Sequence, residues 1–252
     1  AVKMPFTLAH PLLPVLINKA VPRLSLTAMV AGSVIPDMEN FFKMRDTEST
    51  GHTPEGILLF DLPVGLLLCF LYHLILRNSF IANLPHFYRK RLDFFTDFDW
   101  TRYALANKMA VLLSLIAGIC SHLFWDAFTH MDGFFVTYLP LLNVEIWLGD
   151  TGYPVHYLLQ LLSSVLGLLL LFRFIRQLPQ KQVLHQRPDR FYWLSFLSTL
   201  ILLLTVRLIG WPDLNSYLDL WRAVMGALFY SWVIVSFIFY KRTIREERLQ
   251  LK

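Results

Sequence analysis

Residues 121–132, SHLFWDAFTHMD, carry three ionisable side chains at intervals of four. His122, Asp126 and His130 follow directly on the apolar run MAVLLSLIAGIC. Residues four apart lie on one face of a helix, about 6 Å from each other. His122 and Asp126 can therefore ligate one metal ion or two adjacent ones. Imidazole with carboxylate suits zinc, and also iron or manganese, and no thiolate narrows the choice.

The composition of the chain is that of an integral membrane protein. Of its 252 residues, 56% are hydrophobic and 16% are charged, whereas a soluble domain carries about 25% charged residues. Basic loops on the cytoplasmic side of a membrane explain the formal net charge of +5 without a nucleic-acid partner. Cys69 and Cys120 lie inside apolar runs, which argues against a disulfide framework or a thiolate metal site.

Five segments are long and apolar enough to cross a hydrocarbon core of about 30 Å, which takes about 20 helical residues. No internal repeat or flexible linker divides the chain. We therefore predict an all-α fold, a polytopic membrane helix bundle over 54–240 within one domain of residues 1–252. The predicted spans are 55–76, 104–128, 154–175, 191–210 and 218–240.

Lys and Arg are distributed unequally between the loops. They are frequent in 77–108, in 173–190 and in the tail 241–252, and they are absent from 131–155 and 211–217. Because basic loops stay in the cytoplasm, the pattern predicts a cytoplasmic C-terminus with a basic tail. The two loops without Lys or Arg then face the periplasm or the cell exterior.

The N-terminal region 1–53 allows two interpretations. Its apolar stretch LSLTAMVAGSVIPD is only half a membrane long before Pro36, and Lys19 and Arg23 precede it. It is either a tilted sixth span or a re-entrant or interfacial element with the N-terminus outside. Irregular backbone at membrane depth is tolerated only where protein or water covers it. We favour an element at the outer face.

The predicted orientation brings a set of His, Asp and Glu residues to the non-cytoplasmic side. A catalytic metal there would lower the pKa of bound water to about 7 and supply hydroxide at neutral pH. Such a site suits hydrolysis of an ester or phosphoester in a lipid headgroup. The residues of the set are Asp37, Glu39, His52, Asp61, His122, Asp126, His130 and His156.

Some of these residues also have ordinary structural interpretations. His130 and His156, taken singly, are typical of interfacial anchors or hydrogen-bonded residues at helix ends. Arg207 and Arg222 lie near the outer ends of the last two predicted spans, where they could clamp a phosphate or carboxylate headgroup. They could equally form ion pairs within the bundle. The candidate partners for such pairs are Asp61, Asp213 and Asp219.

Four motifs, AHPLLP, IPDMEN, GHTPEG and SHLFWDAFTH, occur in an order that resembles the bacterial inner-membrane family of membrane-bound metal-dependent hydrolases. The resemblance covers roughly residues 4–135 and is greatest to an uncharacterised branch beginning PFT-x-AHP. The family's His-Arg-Gly-x-Thr-His-Ser motif is reduced here to GHTP, so one histidine is missing unless His130 or His156 replaces it. The metal ligands that the resemblance implies are His10, Asp37, His52, His122 and Asp126.

Two functions fit this sequence. The first is a metal-dependent hydrolase of the inner membrane, with zinc as the favoured metal and a membrane lipid or lipid-linked substrate as its partner. Glu39, Asp61, His130 or His156 would then act as general base or orient a metal ligand. The second is a non-enzymatic transporter or assembly factor that uses the same His/Asp set as a proton relay.

Overall fold

A computed structural model of the protein describes residues 7–47, 50–183, 188–212, 214 and 216–250, with side chains to Tyr240. Asp213 and the last two residues of the basic tail lie outside the described residues. The chain forms two compact units. The first comprises Ala1–Glu39, Ser49–Leu66 and Asn107–Phe174, and the second comprises Asn40–Glu48, Leu67–Ala106 and Ile175–Lys252.

The described chain is helical apart from one small hairpin, which confirms the predicted all-α class. The long helix α3 (Pro54–Ala82) contains two π-helical turns, Ile57–Asp61 and Tyr72–Leu76. Short 3-10 turns occur at Thr7–Ala9, Asp93–Phe95 and Pro140–Asn143. The elements are α1 (Leu12–Ala20), α2 (Leu26–Lys43), α3 (Pro54–Ala82), α4 (His86–Leu92), α5 (Trp100–Ala106), α6 (Lys108–Thr129), α7 (Phe134–Tyr138), β1 (Glu145–Leu148), β2 (Thr151–Pro154), α8 (Val155–Gln177), α9 (Arg190–Gly210) and α10 (Tyr217–Gln250).

Within the described residues, five helices are long and apolar enough to cross a membrane, which confirms the five predicted spans. The sequence placed the start of the second span at 104, but α5 ends at Ala106 and a new helix begins at Lys108. The five helical segments are Pro54–Ala82, Lys108–Tyr138, Val155–Gln177, Arg190–Gly210 and Tyr217–Tyr240.

In the first unit, α2 and α6 pack with their backbones close together. A Cβ at Gly118 would collide with the carbonyl oxygen of Met29, and a Cβ at Gly32 would collide with that of Leu115. Small residues at a helix interface allow this approach, and they are common where helices associate in membranes. The two glycines therefore set how near the side chains of α2 come to those of α6.

The two helices run parallel, with a constant offset of 89 residues. The backbone N–H of Ser25 donates to the hydroxyl of Ser114, and the carbonyl of Ser33 lies 2.8 Å from Nδ1 of His122. One turn further on, Asp37 and Asp126 are separated by the same 89 residues, and each has a carboxylate oxygen near Nε2 of His122. The parallel register thus brings two acidic residues that are far apart in the sequence to the same histidine.

The N-terminal region forms a helical hairpin rather than one continuous helix. α1 ends at Ala20, the turn is closed by a hydrogen bond from Leu24 N–H to Val21 O, and α2 begins at Leu26. The Thr7 hydroxyl donates to Asp37, so the start of the hairpin returns to the second half of α2. This element brings the first described residues to the end of α2 that carries Asp37.

The second unit contains α9 and α10 together with most of the segments that are rich in Lys and Arg. The His73 ring stacks on buried Trp100, with centroids 4.8 Å apart. The Arg77 guanidinium donates to the carbonyls of Phe98 and Thr96, each at 2.7 Å. These contacts fasten residues 96–100 to the end of α3.

Candidate metal centre

The centre of the site is the pair His122 and Asp126 on α6. Both are buried, and His122 is 0% exposed. Nδ1 of His122 lies 2.8 Å from the carbonyl oxygen of Ser33. Because a carbonyl only accepts, this nitrogen carries the hydrogen in the neutral ring, and the lone pair is left on Nε2. The i, i+4 spacing then directs that lone pair to Asp126.

Nε2 of His122 lies 3.0 Å from Oδ2 of Asp126. The two atoms lie at the distance of a His–Asp ion pair, and neither has another hydrogen-bond partner among the described residues. If both act as acceptors, they repel each other unless a proton or a metal cation lies between them. Tetrahedral zinc at about 2.0–2.1 Å from nitrogen and about 2.0–2.2 Å from oxygen holds its ligand atoms about 3.3–3.5 Å apart. The observed 3.0 Å is slightly shorter than this spacing, so a small movement would let both atoms bind one metal ion.

His52 and Asp37 approach the same point from other elements. Nε2 of His52 lies 3.4 Å from Oδ2 of Asp126, and Oδ1 of Asp37 lies 3.8 Å from Nε2 of His122. Asp37, His52 and His122 each offer one ligand atom within 4.8 Å of the others. The second oxygen of Asp37 accepts the hydrogen bond from Thr7, which leaves Oδ1 directed toward the site.

The other oxygen of Asp126 faces a different pair of imidazoles. Nε2 of His10 lies 3.1 Å from Oδ1 of Asp126, and Nδ1 of His130 lies 3.3 Å from it. The His10 ring also stacks on that of His122, with centroids 4.2 Å apart. His10, His122 and Asp126 form a second set whose ligand atoms lie within 4.8 Å. Asp126 therefore connects all four histidines of the site.

The loop that carries His52 is fixed against α2. The backbone N–H of Thr50 donates to Oε2 of Glu39 at 2.7 Å. Gly51 packs so closely that a Cβ there would lie 2.6 Å from the carbonyl oxygen of Pro36. At the start of α3, the Thr53 hydroxyl accepts from the backbone N–H of Gly56, as an N-cap does. Glu39 thus holds the His52 loop in place.

Asp61 is a buried acid of the first unit, close to the site. It is 0% exposed, and neither carboxylate oxygen has a hydrogen-bond partner among the described residues. It ends the first π-helical turn of α3, a distortion that often marks functional sites. Its Oδ1 lies 3.2 Å from where a Cβ of Gly51 would be. Asp61 consequently adjoins the loop of His52.

Besides Glu39, Asp61 and His130, three predicted site residues lie outside the two sets. Nδ1 of His156 lies 3.0 Å from the carbonyl oxygen of Leu142, which is the structural role considered for it above. In the second unit, Arg207 donates to the carbonyls of Met44 and Trp211, and Arg222 forms an ion pair with Asp46. Headgroup binding by the two arginines stays a prediction.

The sequence around the site contains no fixed positive charge. Residues 24–42, 50–76 and 109–172 contain neither Lys nor Arg. The same stretches carry eight Asp or Glu residues, including every carboxylate of the site. A cation that binds among these carboxylates would therefore be the main positive charge available to a reacting group.

Two residues of the site were not predicted from the sequence. Thr7 supports Asp37, and its position three residues before His10 was the only available hint. Ser33 acts through its backbone carbonyl, so its residue type carries no signal. Only a structure could identify it.

The chain belongs to the family described as a domain of unknown function, DUF4184, whose model matches residues 4–241. No curated protein and no solved structure matches the chain. The family match covers both the site and the five apolar helices. The resemblance to metal-dependent hydrolases stays a prediction.

Proposed function

We propose that the protein is a metal-dependent hydrolase of the bacterial inner membrane. Its substrate would be a membrane lipid or lipid-linked molecule with an ester or phosphoester bond near the outer leaflet. The observation that carries the proposal is the convergence of His10, Asp37, His52, His122 and Asp126, whose ligand atoms form two sets within 4.8 Å of one another. The motif resemblance supports the same reaction class.

The residues present fit a divalent transition metal, with zinc favoured by the mixed imidazole and carboxylate donors. His122, Asp126, His52, Asp37 and His10 would hold it. When bound, such a metal supplies a water of lowered pKa as nucleophile and polarises the oxygen of the scissile group.

The remaining side chains have separate tasks in this proposal. Thr7 and the Ser33 carbonyl orient Asp37 and His122 through hydrogen bonds, as partners of metal ligands commonly do. Glu39 holds the loop of His52. His130 contacts Asp126 and is 15% exposed along its side chain, so it can pass a proton to water. Asp61, which has no hydrogen-bond partner among the described residues, is the candidate general base.

The proposed side of the membrane rests on the distribution of basic residues. The Lys- and Arg-free loop 131–155 follows α6 at the end that carries Asp126 and His130. If the basic loops are cytoplasmic, the site faces the periplasm or the exterior. Accessibility labelling of single cysteines in 131–155 of intact cells tests this orientation.

Elemental analysis of protein purified in detergent tests the metal. We expect at least one transition-metal ion per chain in the wild type and a loss of metal in His122→Ala with Asp126→Ala. His156→Gln is the matched control, because His156 lies outside both sets and should leave the metal content unchanged. Metal-free wild type would refute the metal centre.

Hydrolysis needs its own assay. The reconstituted protein would be incubated with total bacterial lipid, and products would be identified by mass spectrometry with and without metal. We expect a metal-dependent loss of one lipid class that Asp126→Ala abolishes and His156→Gln retains. A metal-loaded protein that converts no ester or phosphoester lipid would count against the enzyme.

A proton relay is the second candidate, and Asp61 is the observation that favours it. A carboxylate that is fully buried without a partner is stable only when it binds a proton or a cation. Proteoliposomes with an internal pH dye distinguish the two functions. The relay predicts proton flux that Asp61→Asn abolishes, whereas the hydrolase predicts sealed vesicles.

A further inference from the structure

We propose that residues 131–154 form a folded cap whose apolar outer surface lies in the interfacial layer of the lipid bilayer. This cap connects α6 to α8, the second and third apolar helices. The proposal concerns lipid contact alone and does not depend on the metal or on hydrolysis.

The cap is an ordered structure rather than a loose loop. Asn143 donates from Nδ2 to the carbonyl of Val136 at 2.6 Å. The backbone N–H of Val155 donates to the carbonyl of Val144 at 2.9 Å, and His156 contacts the carbonyl of Leu142. Val136 and Leu142 are buried. The cap thus has its own small core and holds a defined outer surface.

That outer surface is strongly apolar. Leu141 is 72% exposed and Trp147 is 64% exposed. Water-exposed apolar surface of this extent is unusual for a soluble face and marks contact with another apolar phase. The exposed apolar residues of the cap are Met131, Phe134, Tyr138, Leu139, Leu141, Val144, Ile146, Trp147 and Leu148.

The β-hairpin presents its tryptophan in a fixed position. Trp147 pairs with Gly152 across the strands, and its ring lies 3.3 Å from where a Cβ of Gly152 would be. The glycine leaves room for the indole to lie over the strand. On the other strand, Tyr153 stacks on Tyr157 at the start of α8, with centroids 5.8 Å apart. Trp and Tyr at the ends of spanning helices are typical of membrane interfaces.

The lipid, rather than a protein partner, is the occupant that the surroundings favour. The Phe135 ring of the cap stacks on Phe128 of α6, with centroids 4.0 Å apart, and also contacts Phe124, which is 57% exposed on that helix. The apolar face of a candidate membrane span therefore continues without a break into the cap. No Lys or Arg occurs in 131–154, so the cap offers no basic residue for an acidic partner.

Backbone chemistry limits how deep the cap can lie. Each strand of the two-stranded hairpin has one edge without a neighbouring strand among the described residues. Unpaired N–H and carbonyl groups are too costly in hydrocarbon, but water reaches them among the headgroups. The cap consequently belongs at headgroup depth, with its apolar side chains directed to the acyl chains.

Site-specific fluorescence tests this placement. Single cysteines would be introduced as Leu141→Cys and Trp147→Cys in a Cys69→Ala, Cys120→Ala background and labelled with an environment-sensitive dye. The protein would be placed in phosphatidylcholine nanodiscs that contain lipids spin-labelled either near the glycerol or near the end of the acyl chain. Gln182→Cys, on an exposed residue of the polar linker after α8, is the matched control.

We expect blue-shifted emission at positions 141 and 147 and quenching by the shallow spin label several-fold greater than at position 182. The deep spin label should quench less. Both substituted side chains point outward, so neither change removes core packing. Emission and quenching equal to those at 182 would overturn the proposal. Stronger quenching by the deep label would overturn the interfacial depth.

Discussion

The hydroxyl of Thr7 offers a sharp test of the metal centre, because it touches a proposed ligand without being one. Thr7→Val keeps the shape of the side chain and removes its donor to Asp37. Thr7 is 3% exposed, so water does not readily replace the lost hydrogen bond. Loss of a group that orients a metal ligand typically lowers metal affinity about 10–100-fold, or about 1.4–2.7 kcal/mol.

The geometry places the effect at the lower end of this range. Asp37 Oδ1 lies 3.8 Å from Nε2 of His122, compared with 3.0 Å for Asp126 Oδ2, so Asp37 is the more peripheral carboxylate. We expect Thr7→Val to lower the zinc affinity about tenfold, measured by competition with a chromophoric chelator. Thr7→Ser, which keeps the hydroxyl, should retain the wild-type affinity.

A second threonine provides the control for this experiment. The Thr137 hydroxyl donates to the carbonyl of Gly133 on an exposed helix, and Thr137→Val should leave the affinity unchanged. An unaltered affinity in Thr7→Val would refute the role of Asp37. A loss as large as that in His122→Ala would show that Thr7 is itself a ligand.

Three further changes test the packing, the metal linkage and the surface charges. Gly118→Ala inserts a methyl group against Met29 O and should destabilise the protein by about 1–3 kcal/mol, whereas Gly210→Ala, with open space around it, should be nearly neutral in thermal unfolding. If metal is present at about 100 times Kd, chelation should lower the free energy of unfolding of the wild type by about 2.7 kcal/mol, and its unfolding temperature should fall accordingly. Chelation should not change the unfolding temperature of Asp126→Ala. The hydrogen bond from Lys181 to Asp97 raises the pKa of Lys181, so the ammonium group stays charged at neutral pH. Because this ion pair is exposed, Lys181→Gln should lower the free energy of unfolding in denaturant by less than about 1 kcal/mol.

The sequence predicts the membrane helices well because their signal is local. A run of about 20 apolar residues is needed to cross the bilayer, whatever the rest of the fold. Most predicted boundaries lie within a few residues of the observed ones, for example 191–210 against Arg190–Gly210. The first span was predicted to end at 76, yet its helix continues to Ala82, since Arg77 is held by carbonyls of the same unit.

The site was predictable only where helix periodicity fixes it. The i, i+4 rule brought His122 and Asp126 together, and the structure has them 3.0 Å apart. Asp37 reaches them through the 89-residue register of two parallel helices, which no local pattern encodes. His10 was predicted as a metal ligand from the motif resemblance alone. His156 was a candidate metal ligand because of its residue type, but its ring contacts the Leu142 carbonyl and not the residues of the site.

The close contact between α2 and α6 explains how a polar cluster can persist inside an apolar helix pair. Gly32 and Gly118 let the backbones approach until the Ser33 carbonyl reaches the His122 ring. That contact fixes the ring and directs its lone pair to Asp126, while two further histidines approach the other oxygen of the same carboxylate. Acceptor atoms held this close in a buried site repel one another unless a proton or a cation lies between them. The packing that orders the proposed metal centre would therefore also favour the binding of a cation.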